Sequence, residues 1–204
     1  MYKKPVIVFE GIEGSGKSFH INNVSKYLKK NKIDHIKIRE PGGNRNSEKI
    51  RSLILNNKSN FNRNTDLLLY LSSRSENIHH LKKFHKKKVI LIDRFTDSTI
   101  AYQHYGLGVN LSLINKINEY LLGNFKADFT FLNIVSNKNM LQRLKQRENL
   151  NRYDKFNKNF YTKVQNGFRK IANKKINKYK IIDSNLDIEF NKKIIIDKIK
   201  RLIK

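Results

Sequence analysis

The chain has 204 residues and a formal net charge of +26, long enough for one domain with a substantial apolar core. It contains no cysteine, which excludes disulfides and thiolate metal centres, and its six histidines show no zinc-like spacing. No apolar run is long enough to span a bilayer, and Met1 to Pro5 lacks signal-peptide anatomy, so a cytoplasmic enzyme with no membrane partner is expected. The positive charge is mostly lysine, is scattered through every segment, and accompanies abundant Asn and Ile. That pattern reads as compositional bias rather than a groove-reading surface, so no specific nucleic-acid partner is expected, although the field can attract anionic substrates.

In chain order, Val6 to Phe9 is an apolar, largely β-branched run that leads into glycines, and helical apolar spacing follows from Phe19 to Lys30. A second strand is predicted over Ile33 to Ile38, and a short helix over Ser47 to Leu55 with Ser47 as its candidate cap. The longest helical pattern is Thr65 to Lys83, capped by Thr65 or Asn64, with Leu67, Leu68, Leu71, Ile78 and Leu81 on its apolar face. Val89 to Ile92 and Phe129 to Val135 read as buried strands. Helices are predicted over Ser98 to Tyr105, Leu111 to Leu122, Asn137 to about Glu148 and Phe156 to Lys174. Tyr179 to Ile182 is a short strand and Ile188 to Ile203 a terminal amphipathic helix. Five strands alternating with helices, without hairpin signals, predict an α/β fold with a parallel sheet flanked by helices. Nothing reads as a linker, so residues 1–204 are expected to form one unit.

The chemistry starts at Gly11-x4-Gly16-Lys17-Ser18, placed directly after the first strand. This is the phosphate-loop pattern: backbone N–H groups and a helix N-terminus converge on a polyphosphate, Lys17 reaches the β- and γ-phosphates, and Ser18 meets magnesium. A phosphate loop says nothing about the acceptor. Three further stretches do: Phe9-Glu-Gly-x-Glu-Gly-x-Gly-Lys-Ser18 as a whole, Arg39-Glu-Pro-Gly-Gly43, and Asp93-Arg-x-x-x-Ser98 with Ala101-Tyr-Gln103. In order and spacing over nearly the whole chain, these resemble the thymidylate kinases, which convert dTMP to dTDP with ATP.

The resemblance implies a P-loop NTPase three-layer fold of the nucleoside monophosphate kinase type, with dTMP and ATP as substrates, Mg2+ as cofactor, and a homodimer. It implies ATP along Gly11, Gly14, Ser15, Gly16, Lys17 and Ser18, with Arg143 on the same side, and Asp93 beside Ser18 at the metal. Arg94 resembles the arginine that holds the dTMP phosphate, where a planar guanidinium suits bidentate binding; its other reading is a surface partner of Asp97. Arg39 and Arg51 are further phosphate-clamp candidates, and Arg51 fits an exposed structural role nearly as well. Tyr70 and Arg74, four apart on one helix face, resemble the aromatic and arginine that meet thymine; packing among leucines is the other reading of Tyr70. Ser98, Thr99 and Gln103 resemble contacts to the base edge, Tyr102 the ring that crowds the sugar, and Glu13 the acceptor of the sugar 3′-hydroxyl. Some relatives carry an arginine in the loop where this chain has Gly14. The compensating charge is expected from a basic lid at about residues 143–155, containing Arg143, Lys145, Arg147 and Arg152, with Arg147 and Arg152 favoured for catalysis alongside Lys17 and Arg94.

Overall fold

The computed structural model describes residues 2–204. Three strands form from runs buried on both faces: β1 (Val6–Glu10), β3 (Val89–Asp93) and β4 (Phe129–Ile134). The more polar β2 (His35–Arg39) and β5 (Tyr179–Asp183) are only partly buried and take the edges. All pairings are parallel and the order is β2-β3-β1-β4-β5. Because successive side chains point to opposite faces, each central strand feeds two cores. Ile7, Phe9, Leu91 and Phe131 pack with α1 (Lys17–Lys30) and the terminal helix Ile188–Ile203. Val6, Val8, Ile90 and Ile92 pack with Ile78 and Leu81 of a long helix on the other face.

The remaining helices are α2 (Arg45–Leu55), α3 (Arg63–Lys82), α4 (Thr96–Thr99), α5 (Leu111–Leu122), α6 (Asn137–Lys145), α7 (Lys158–Asn173) and α8, the terminal one. From β1 the chain passes to the edge strand β2, returns inward to β3 beside β1, then crosses to β4 on the other side. The C-terminal ends of β1, β3 and β4 therefore meet at a switch point, where a crevice opens. No helix among the described residues is long and apolar enough to cross a membrane.

The strands and the longer helices follow the sequence pattern, while several ends, caps and one helix type differ. Asn44, not Ser47, caps α2, its side chain accepting from the N–H groups of Asn46 and Ser47 at 3.0 Å each. The Ser47 hydroxyl instead donates to the Ser73 carbonyl at 2.8 Å and joins α2 to α3. Asn62, not Asn64 or Thr65, caps α3 in the same way. In a chain this rich in asparagine, several neighbouring side chains have the right chemistry, and the one that sits where the backbone turns extended wins. The helix predicted from Ser98 to Tyr105 is the short α4 continued by a π-helical stretch, Ile100–Gly106, in which the Leu107 N–H reaches the Tyr102 carbonyl at 3.0 Å. α6 ends at Lys145, three residues before its predicted end, and a 3-10 turn at Arg152–Lys155 precedes α7. Leu67, Leu71, Ile78 and Leu81 lie in the chain's own core, so that face of α3 is not free for another subunit; Leu68 is its exposed leucine.

If Asn62 is the working cap, Asn62→Ala lowers the unfolding free energy by about 1 kcal/mol and Thr65→Ala by less than about 0.5 kcal/mol. Urea midpoints for the two variants check this; the opposite ranking would contradict the assignment.

Candidate active site

β1 delivers the chain to Gly11 at φ +137, a conformation that side chains avoid, and a Cβ there would lie 2.2 Å from the Asn133 carbonyl oxygen. The loop is held from outside: the Ser184 hydroxyl and the Asn133 side-chain amide donate to the Ser15 carbonyl at 2.7 and 3.2 Å. Arg143 donates to the carbonyls of Gly14 and Ser184 at 2.8 and 2.7 Å, so the guanidinium nearest Gly14 comes from α6 rather than from the loop. Inside the loop, Lys17 Nζ donates to the carbonyls of Gly11 and Ile12 at 2.9 and 2.8 Å. Burial, and then the charge of Arg94, push this ammonium down to about 8. Ser18 Oγ donates to Asp93 Oδ2 at 3.3 Å. No group of three or more His, Asp or Glu side chains that could enclose a metal exists among the described residues. A hydroxyl beside one carboxylate instead fits magnesium, which prefers few protein oxygens and fills its shell with phosphate and water oxygens.

The turn after β3 supplies the opposing cation. Arg94 adopts φ +66, unusual for a residue with a side chain. Its Nη1 donates to Gly11 O at 2.9 Å, the same oxygen that accepts from Lys17, and its Nη2 pairs with Glu13 at 2.7 Å. Glu13 also accepts from the Tyr102 hydroxyl at 2.5 Å. Burial disfavours the charged guanidinium, but Tyr102, Glu13 and Asp93 around it hold its proton well above the ordinary arginine range. Asp97, the alternative partner read from the sequence, turns away and accepts from the Tyr179 hydroxyl at 2.5 Å.

What fixes this turn is Glu10, at the end of β1. Phe95 precedes α4 and has no side chain able to cap it. The fully buried Glu10 carboxylate does so from another strand, accepting from the N–H groups of Phe95 and Ser98 at 2.8 and 3.2 Å and from Ser98 Oγ at 2.5 Å. Burial, then the neighbouring charge of Asp97, push the Glu10 carboxyl up to about 7.

A cavity of about 200 Å³ opens between these groups. Glu13, Lys17, Ser18, Arg39, Arg51, Tyr70, Arg74, Asp93, Arg94, Ser98, Thr99, Tyr102, Gln103 and Arg147 all line it. Its six cationic side chains outnumber its three carboxylates, the balance expected for a site that takes phosphate groups. Arg39 stands on its rim in a bidentate pair with Glu48, while Arg51 is partly buried and donates to the Pro41 carbonyl at 2.7 Å. Tyr70 faces the cavity rather than the leucine core and meets Tyr153 edge-on at 5.8 Å. Arg74 is 2 % exposed, pairs with Glu40 at 2.7 Å and donates to Asn118 at 2.7 Å, which fixes the plane of its guanidinium. The Ser98 hydroxyl is engaged by Glu10 rather than open to the cavity.

Gly11, Gly14, Ser15, Gly16 and Arg143 do not line this cavity; Gly11 and Ser15 are buried, while Gly14 and Gly16 are partly exposed. Arg152 also does not line the cavity; it pairs with Asp66 at 2.5 Å and donates to the Ile54 carbonyl at 3.1 Å, whereas Arg147 faces inward beside Asp154. Glu10, Glu40, Asn118 and Tyr153 were not singled out from the sequence. Glu10 carried one readable signal, a lone acid closing an otherwise apolar strand.

A phosphate loop at a parallel-sheet switch point, opening on an arginine-lined cavity, is the arrangement of a nucleoside monophosphate kinase. A family profile described as thymidylate kinase matches residues 9–195. A thymidylate kinase from Thermosipho africanus is 38 % identical over 90 % of this chain and 91 % of its own length. Another, from Sulfurihydrogenibium sp., is 36 % identical over 96 % of both. The crystal structure of thymidylate kinase from Ehrlichia chaffeensis superposes with a TM-score of 0.77 at 30 % identity, covering 97 % of this chain and 98 % of that one. The chain belongs to the thymidylate kinase family, enzymes that phosphorylate dTMP to dTDP with ATP.

The Glu10 carboxyl gives this site a pH signature. Between about pH 4.5 and 7 an unfolded chain has lost the Glu10 proton while the folded one retains it, so folding stability falls as pH rises through that window. Glu10→Gln, uncharged throughout, should lack that component. Melting temperatures of both proteins across the window check it, and an unchanged slope in the variant would contradict the assignment.

Proposed function

We propose that the two substrates meet end to end at Lys17 and Arg94, with ATP phosphates along the loop Gly11 to Ser18 at the edge of the cavity and the dTMP phosphate inside it on Arg94, assisted by Arg39 and Arg51. The observation that carries this reading is the shared Gly11 carbonyl, which brings Lys17 and Arg94 to one oxygen at 2.9 Å each. Two cations so close are repelled unless an anion lies across both, and a phosphoryl group in transit between two phosphates is such an anion. Binding would draw Lys17 off its loop carbonyls onto the β- and γ-phosphates. The acceptor is already an anionic phosphate, so no general base is needed; Lys17, Arg94 and a lid arginine stabilise the transferred charge while the loop aligns donor and acceptor. Arg147 is the lid residue we favour, since it faces the cavity, within a lid at about residues 143–155. Ser18 and Asp93 would hold Mg2+, which supplies neutralising charge on the donor phosphates when bound.

At the nucleoside end, Tyr70 stacks on thymine and Arg74, fixed by Glu40 and Asn118, meets the carbonyl edge of the base, with Thr99 and Gln103 beside it. Tyr102 and Glu13, already hydrogen-bonded to one another, border the sugar, where Glu13 would accept from the 3′-hydroxyl and Tyr102 would crowd a ribose 2′-hydroxyl. The reading includes a cytoplasmic setting, and a homodimer supported by exposed Leu68 of α3 and Leu113 and Tyr120 of α5.

A coupled assay with ATP and a panel of dTMP, dUMP, dCMP and dGMP tests the whole reading. We expect dTMP to be the preferred acceptor and Lys17→Ala to lower kcat by about 100- to 1000-fold with an unchanged circular dichroism spectrum. Preference for another base would overturn the nucleoside assignment, and near-normal turnover in the variant would overturn the mechanism.

A further inference from the structure

α3 carries more of the nucleoside pocket than Tyr70 and Arg74. Asp66 stands four residues before Tyr70, so Asp66, Tyr70 and Arg74 recur at the spacing that places side chains on one helix face. Asp66 is 4 % exposed, and a buried carboxylate is retained only with partners. Both of its oxygens are used, and both partners come from the 3-10 turn that ends the basic lid: Oδ1 accepts from Arg152 at 2.5 Å and Oδ2 from the Tyr153 hydroxyl at 3.0 Å. The same arm is tied to α2 and its following loop by Arg152 to the Ile54 carbonyl at 3.1 Å and by Asn57 to the Leu150 carbonyl at 2.8 Å. Held there, the Tyr153 ring enters the cavity wall, edge-on to Tyr70 at 5.8 Å and to Tyr102 at 6.0 Å, and its hydroxyl lies 3.5 Å from Gln103.

We propose that Asp66 is a positioning residue for the monophosphate site: by gripping Arg152 and Tyr153 it makes the descending arm of the lid a wall of the nucleoside pocket. The proposal rests on the reading of Tyr70 and Arg74 as base contacts. Asp66 touches no substrate. It acts through the Tyr153 ring, which narrows the pocket between Tyr70 and Tyr102, and it assigns the two arginines of the arm to separate tasks, Arg152 to anchorage and Arg147 to the cavity. The consequence is a selective one. The ATP loop is anchored by Asn133, Ser184 and Arg143, none of which shares a hydrogen bond with this network.

Steady-state kinetics of full-length Asp66→Ala and Tyr153→Phe, with dTMP and ATP varied separately, test it. We expect the KM for dTMP to rise about ten-fold in Asp66→Ala and less in Tyr153→Phe, with kcat and the KM for ATP within about two-fold of wild type. The double variant should be close to Asp66→Ala, because the shorter of the hydroxyl's two bonds is the one to the carboxylate, at 3.0 Å against 3.5 Å to Gln103. An unchanged dTMP KM in either folded variant, or an equal rise for both substrates, overturns the proposal. Should Asp66→Ala fail to fold, Tyr153→Phe, which keeps the ring, decides by the same split. Tyr70→Ala separates the two readings: if it raises the dTMP KM while the Asp66 and Tyr153 variants do not, only this inference fails, and if it too leaves the KM unchanged, the base-site reading fails with it.

Discussion

The Gly11 carbonyl oxygen accepts hydrogen bonds from two cations that arrive from different strands, Lys17 after β1 and Arg94 after β3. The two charges lie within about 6 Å of one another, where they repel by roughly 1 to 3 kcal/mol between the screening of water and that of a protein surface. The structure holds them there by over-determination. Glu13 grips Arg94, Asp93 lies close enough to favour both charges, and Glu10 caps the helix that follows Arg94 and so keeps its left-handed backbone from relaxing. Burial and like charge push Lys17 down to about 8, which leaves a site primed to take up negative charge. The topology makes this possible, since β1 and β3 are neighbours in the sheet and both loops open at the same crevice.

The high net charge of the chain and the charge of its site are different phenomena. Of 32 lysines and 11 arginines in the sequence, the cavity uses five arginines and a single lysine. If the site merely sampled the surface, lysine would dominate it. A compact ammonium drifts easily into exposed positions, whereas a planar guanidinium with a fixed fork of donors is retained where phosphate or a base edge must be met in one orientation. Arg74 shows the difference: Glu40 and Asn118 hold its plane in a place almost closed to water.

Much of this site was legible in the sequence because its signals are local. The phosphate loop, the Asp93-Arg94 step and the Tyr70-x3-Arg74 face each lie within one strand end or one helix turn, so each keeps a compact pattern, the first readable by itself and the other two through the family resemblance. The parallel sheet was legible for a related reason, since buried runs such as Val89 to Ile92 need helices on both faces. What escaped depends on contacts between distant segments. Arg152 was expected to face the transferred phosphoryl, and its partner Asp66 lies 86 residues earlier. The cap of α4 comes from Glu10, 85 residues before Phe95, so no local rule could supply it. The π-helical stretch that carries Tyr102 and Gln103 has the composition of an ordinary helix and is set by what it packs against. The helix caps were missed for the opposite reason, too many asparagines with suitable chemistry side by side.

The claim on which the account turns is that the geometry of Arg94, and not merely its charge, binds the acceptor phosphate. Calorimetric titration of dTMP and of ATP into the wild type and into Arg94→Lys tests it most directly, because lysine keeps the positive charge and discards the planar fork. The account predicts a loss of dTMP affinity of about ten-fold or more with ATP affinity unchanged. Equal dTMP affinity in the two proteins, or a loss confined to ATP, would contradict it.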